Sequence, residues 1–176
     1  MAEKSLYKLY LAQGRNAPQG SIVGDFKKLD DQNFVCEIIL SDDEVMKAGC
    51  VDAVTTVFPD KSVIYITADM IDALQEDGQV ERFELYHELG HIHCGHYDTG
   101  LVDDGSAPDP ERLSREEKEA DAFAASYLGA EAAELALREI LRVRAQVDKR
   151  LGVNGTPVSV KAIRELRVRI EKIKNQ

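Results

Sequence analysis

The stretch "FELYHELGHIHCGH", residues 83–96, holds all four histidines of the chain: His87, His91, His93 and His96. From about Gln79 onward, Val80, Phe83, Leu85 or Tyr86, Leu89 and Ile92 recur at helical spacing, and Gly95 is a suitable terminator. The cluster therefore sits on the last turns of a helix. On that helix His87 and His91 are four positions apart and stand one above the other, so both imidazoles can reach one ion without backbone movement.

His87, Glu88 and His91 fit the pattern HExxH. Glu88 lies one residue beyond the first histidine, outside the ligand column, where a carboxylate can act on water as the general base of a zinc hydrolase. A catalytic zinc takes three protein ligands and leaves a fourth position open. His93 is on the wrong side of the helix and is expected to be structural or to support a ligand from behind. His96 is not in register for HExxHxxGxxH, because Cys94 and Tyr97 stand where that pattern needs Gly and His.

The remaining source is a carboxylate on a second helix. "REEKEADAFAASYL", residues 115–128, offers Glu116, Glu117, Glu119 and Asp121. "SREE" at 114–117 reads as a capping box that starts this helix and engages Glu117 with Ser114. Glu119 lies a turn deeper, on the face of Ala122, Phe123 and Ser126, and is the expected third ligand. The alternative is an acidic first turn that complements the helix dipole.

Upstream, "NFVCEIIL" (33–40) and "KSVIYITA" (61–68) alternate with a period of two and read as strands. "SDDE" (41–44) reads as the cap of a short helix, and another short helix is expected around Asp69 to Gln75. Residues 99–113, rich in Gly, Pro and Asp, read as a loop. Helices are expected from about Ala130 to Leu151 and from Ser159 onward, separated by "GVNGTP".

The chain has 176 residues, 44% hydrophobic and 31% charged, as for a folded globular protein. No apolar run is long enough to span a bilayer, and the N-terminus lacks the apolar core of a signal peptide. With three widely spaced cysteines, Cys36, Cys50 and Cys94, the expectation is a cytoplasmic protein with reduced thiols.

The net charge of −10 is uneven: residues 1–129 carry 11 Lys+Arg against 26 Asp+Glu, and residues 130–176 carry 11 against 6. Residues 1–129 are expected to form the main domain. Residues 130–176 are expected to form a basic helical hairpin packed on it or extending it. Arginines and lysines on that hairpin could contact phosphates, but its apolar stripes and interleaved glutamates favour solvated faces or a partner-docking surface.

"RFELYHELGHIHCGH" followed by "EADAFAASYL", 28 residues after His91, resembles the ImmA/IrrE zinc metallopeptidases, and the preceding "SVIYIT" resembles the strand that family places before its active-site helix. The resemblance covers roughly residues 61–128. It implies an α+β, zincin-like domain with a small antiparallel or mixed sheet and an HExxH active-site helix. It implies Zn2+ held by His87, His91 and Glu119, as in gluzincins, with Glu88 as catalytic base. Asp121 is assigned a supporting role, orienting a ligand histidine; in the thermolysin arrangement an Asp stands four residues after the ligand Glu, and here that place is Phe123.

The function implied is a zinc-dependent endopeptidase hydrolysing a protein substrate, such as a DNA-binding repressor or regulator. The alternative is a non-catalytic, metal-containing binding module that sequesters a regulatory protein, which closure of the fourth coordination position by His96 or Cys94 would support. Tyr86, Tyr97 and Tyr127 are candidates for stabilising an oxyanion, and "KSVIYITA" is the expected sheet edge for a substrate strand. Nucleic acid and membrane are not expected partners.

Overall fold

The computed structural model describes residues 6–12, 16–41, 52–58, 60–96 and 109–175. Five strands form one open mixed sheet: β1 (Tyr7–Leu11), β2 (Ile22–Lys28), β3 (Asp31–Leu40), β4 (Ala53–Val57) and β5 (Ser62–Ile66), in the spatial order β1-β2-β3-β5-β4. β1, β2 and β3 run antiparallel in sequence, β3 pairs parallel with β5, and β4 returns antiparallel beside β5. The strand read from "KSVIYITA" is thus internal, and β4 is the edge. The physical reason is visible in the burial: Ser62, Val63, Ile64 and Ile66 are all buried, as an interior strand covered on both faces requires.

Five helices are described: α1 (Ala68–Gln75), α2 (Gln79–Cys94), α3 (Pro110–Leu128), α4 (Ala130–Arg150) and α5 (Pro157–Lys174). The short helix expected after Ser41 falls on residues 42–51, outside the described residues. α2 buries Phe83, Leu85, Leu89 and Ile92, which point around much of its circumference. A helix apolar on several sides must be covered on several sides. Leu85, Leu89 and Ile92 join the sheet and α1 in one core, with Phe26, Ile38, Ile64, Ile66 and Ile71. Phe83 faces a second core, built with Ala124, Ala133, Leu137, Leu166, Ile170 and Ile173 from α3, α4 and α5.

α3 begins earlier than the capping box at Ser114 suggests. Asp109 is its N-cap, accepting a hydrogen bond from the Glu111 N–H at 3.0 Å, and Pro110 occupies the first turn, where a missing N–H costs nothing. Ser114 is therefore interior to the helix, where its hydroxyl accepts from Lys118 Nζ at 2.8 Å, and Glu117 is released from the capping role.

The turn between α4 and α5 is pinned by a buried carboxylate. Asp148 accepts from Arg144 Nε at 2.9 Å and Ser159 Oγ at 2.5 Å, while its carbonyl accepts from the N–H groups of Val153 and Asn154. Thr156 caps α5 through Ser159 N–H, with Pro157 next in sequence. This fixes the start of α5 against the end of α4.

Candidate metal centre

α2 and α3 pack closely because of Gly90. A Cβ at that position would stand 2.9 Å from Ala120 Cα and 3.0 Å from its carbonyl oxygen. The facing stripe of α3 is Glu117, Ala120, Asp121 and Ala124, at the i, i+3, i+4, i+7 spacing of one helical face, and the last three are buried. The small alanines let the helices approach, and the two acids flank them opposite His87 and His91.

His87 Nε2 and His91 Nε2 are 3.1 Å apart. Glu117 places one carboxylate oxygen 3.5 Å from the first and the other 3.5 Å from the second. Among the described residues these three side chains form a group whose ligand atoms all lie within 4.8 Å of one another. Tetrahedral zinc with bonds of about 2.0–2.1 Å separates its ligand atoms by roughly 3.3–3.4 Å. The donor set and its spacing fit a zinc ion.

The hydrogen bonds on the far side of each ring fix where the lone pairs point. His87 Nδ1 lies 2.9 Å from Asp121 Oδ1, and a carboxylate only accepts, so Nδ1 carries a proton and Nε2 is the nitrogen available to an ion. His96 Nε2 lies 2.9 Å from Glu119 Oε2 and must likewise donate. That leaves His96 Nδ1 as an acceptor for His91 Nδ1, 3.1 Å away, so His91 Nε2 is likewise the nitrogen available to an ion. Two lone pairs and a carboxylate thus converge on one point, an arrangement only a cation stabilises.

Without a metal, a proton is the available cation. Burial lowers the basicity of His87, but its contacts with Asp121 and Glu117 outweigh this and raise its pKa to about 10. Burial pushes Glu117 upward, and the two histidines reverse that and hold it far below the usual carboxylate range. Burial also works against Asp121, whose carboxylate is held below its ordinary value by Arg169 and His87.

Of the expected site residues, His87, His91 and Asp121 meet, and Glu119 does not join them. Glu119 is exposed, about 200° around α3 from Glu117, and binds His96 instead. The structure thus groups Glu117, in place of the expected Glu119, with His87 and His91. The signal was present in the sequence: Asp121 stands four residues after Glu117, the spacing that Glu119 lacks. His96 was also underrated, since it is buried and backs His91.

Glu88 accepts a hydrogen bond from Thr55 Oγ1 of the edge strand β4 at 2.6 Å. It lines a cleft of about 860 Å3 together with His87 and Glu117. One side of the cleft carries Asp52, Glu81 and Glu84; the other is Ile140, Val143, Lys161 and Leu166 from α4 and α5. Tyr86 and Tyr127 do not line it. They stack on each other at 4.7 Å, and the Tyr127 hydroxyl accepts from Tyr7 N–H. His93 meets the Tyr7 hydroxyl at 3.0 Å, the structural place expected for it. Tyr97 lies outside the described residues.

Residues 70–153 match the family model of the IrrE N-terminal-like domain, Peptidase_M78. This match supports the ImmA/IrrE-type family for the segment. The α+β architecture, with its small mixed sheet beside an HExxH helix, is the zincin-like fold expected of such a domain. The family match supports a peptidase-type domain, and the structure supplies a His87, His91 and Glu117 group that could hold a metal. No curated protein and no solved structure matches the chain. Among the described residues no helix is long and apolar enough to cross a membrane.

Proposed function

We propose that the protein is a zinc-dependent endopeptidase of the gluzincin type, with His87, His91 and Glu117 as ligands and Glu88 as catalytic base. The observation that carries this reading is the convergence of both Nε2 lone pairs and the Glu117 carboxylate at one point of the Glu88-lined cleft. Zinc held there would acidify water and polarise a peptide carbonyl. Glu88, aligned by Thr55, takes a proton from water and delivers it to the leaving amide nitrogen. Asp121 keeps the His87 proton on Nδ1, and the His96–Glu119 pair does the same for His91.

A protein substrate fits the site. β4 has one side paired with β5 and one edge beside the cleft, so an extended segment can add to it through main-chain hydrogen bonds. Its side chains would then meet the apolar wall of Ile140, Val143 and Leu166. A repressor or other regulatory protein is the substrate class that the family resemblance suggests. Two further facts support catalysis over sequestration: both His96 nitrogens are engaged away from the ion position, and Cys94 is exposed. Free thiols at Cys36 and Cys94 fit a cytoplasmic protein.

Purified protein should bind one zinc per chain, and Glu88→Gln should bind it equally while losing proteolysis of a susceptible protein by at least about 100-fold. Equal cleavage by wild type and Glu88→Gln would defeat the mechanism. Absence of zinc binding by the wild type would defeat the site.

A further inference from the structure

The C-terminal helix reaches the metal centre through one side chain. Arg169 of α5 donates from Nε to Asp121 Oδ2 at 2.7 Å and from Nη2 to Asp121 Oδ1 at 2.6 Å. Its third nitrogen, Nη1, donates to Glu117 Oε2 at 2.8 Å. One guanidinium thus holds both the third ligand and the carboxylate that orients the first. The Arg169 side chain is only 13% exposed, so these carboxylates are its partners in place of water.

This residue lies beyond the segment matched by the family, which ends at residue 153. α5 is anchored independently of it, by Leu166, Ile170 and Ile173 in the second core. The position of Arg169 is therefore set by the docking of α5, and Glu117 and Asp121 take theirs from Arg169. A planar fork suits this task, because it satisfies two carboxylates at once in a fixed geometry that an ammonium cannot reproduce.

We propose that Arg169 is a positioning residue that couples the docking of the C-terminal helix to assembly of the metal site. It fixes Glu117 with one carboxylate oxygen on the guanidinium and the other beside His91, and it fixes Asp121 against His87. Zinc affinity and α5 docking are then linked: each favours the other by the same factor. This inference rests on the proposed zinc site.

The variant that isolates positioning is Arg169→Lys, which keeps the positive charge near the ion and removes the fork. Loss of orienting contacts of this kind lowers metal affinity by about 10- to 100-fold. Competition with a chromophoric chelator should show such a fall for Arg169→Lys, and the cobalt(II)-loaded variant should have altered visible absorption bands. A merely structural arginine would lower the melting temperature and leave both readouts unchanged. A variant that binds zinc within twofold of wild type, with the same cobalt spectrum, overturns the proposal.

The wild type supplies a second test that needs no substitution. Zinc should slow amide hydrogen exchange across residues 166–173 of α5, and unchanged exchange in zinc-bound protein overturns the coupling. If the wild type binds no zinc, the metal site itself fails, an outcome distinct from failure of the Arg169 coupling.

Discussion

His96 Nδ1 lies 3.1 Å from His91 Nδ1, and the opposite nitrogen of the same ring meets Glu119 at 2.9 Å. An exposed carboxylate is thus connected through a buried imidazole to the back of a proposed zinc ligand. The relay orients His91, with Nε2 turned toward His87 and Glu117. His96→Ala and Glu119→Gln should each lower zinc affinity by about 10-fold and Glu117→Ala should abolish measurable binding, since outer contacts modulate a site that ligands create. Zinc titrations of the three variants check this, and tighter binding by Glu117→Ala than by Glu119→Gln would reverse the ligand assignment.

Gly90 sets the distance between the two metal-bearing helices. Adding a methyl group there drives it into the Ala120 backbone, which cannot rotate away. Overpacking of this kind costs about 1–3 kcal/mol, and the gain in helix propensity returns about 1 kcal/mol. Gly90→Ala should therefore melt only slightly below wild type without zinc. Zinc binding should suffer more, because a ligand shell tolerates displacements of only about 0.5 Å. Melting curves with and without zinc make the comparison: a zinc-induced rise in Tm as large as that of wild type would show that the helices accommodate the methyl group.

Thr55 connects the sheet edge to Glu88, the proposed catalytic base. Its hydroxyl donates to Glu88 Oε2 at 2.6 Å, and a hydrogen bond to a charged group is worth about 1.5–3 kcal/mol. Thr55→Val keeps the branched shape that suits strand β4 and deletes the donor. On any peptide the wild type cleaves, kcat should fall about 10- to 100-fold with zinc affinity unchanged, and Thr55→Ser should restore most of it. A Thr55→Val enzyme with full kcat would remove Thr55 from the mechanism.

Much of this architecture is readable from the sequence, and the failures have physical causes. β3 announces itself because Cys36, Ile38 and Leu40 alternate with less buried neighbours, and β5 and α2 because their apolar residues are dense enough to need cover on more than one side. β1 and β4 are short edge strands whose exposed Lys8 and Val54 blur the alternation. The expectation of Glu119 over Glu117 follows from a local rule: Ser114 and Glu117 have capping-box spacing, but Asp109 and Pro110 start the helix a turn earlier. Arg169 is invisible to spacing arguments, because its partners lie 48 and 52 residues away. The basic tail read as a solvated or docking surface hides one inward arginine, and only the packing of α5 on α3 shows it.

Glu84 supplies a pH-dependent prediction. Burial in the cleft wall, followed by the nearby charges of Asp52 and Glu81, raises its carboxyl from an ordinary 4.5 to about 7. A carboxyl raised in the folded state favours folding while protonated, so its contribution is full below pH 4.5 and is lost as pH rises through about 7. At about 1.4 kcal/mol per pKa unit, and reduced for partial solvent access, the loss between pH 4.5 and pH 8 is about 1–3 kcal/mol. Glu84→Gln stays neutral throughout and escapes it. Urea unfolding of zinc-free protein should show the variant gaining stability relative to wild type as pH rises across this window. If the difference between the two is flat with pH, Glu84 is ionised throughout and the cleft wall is more polar than its burial implies.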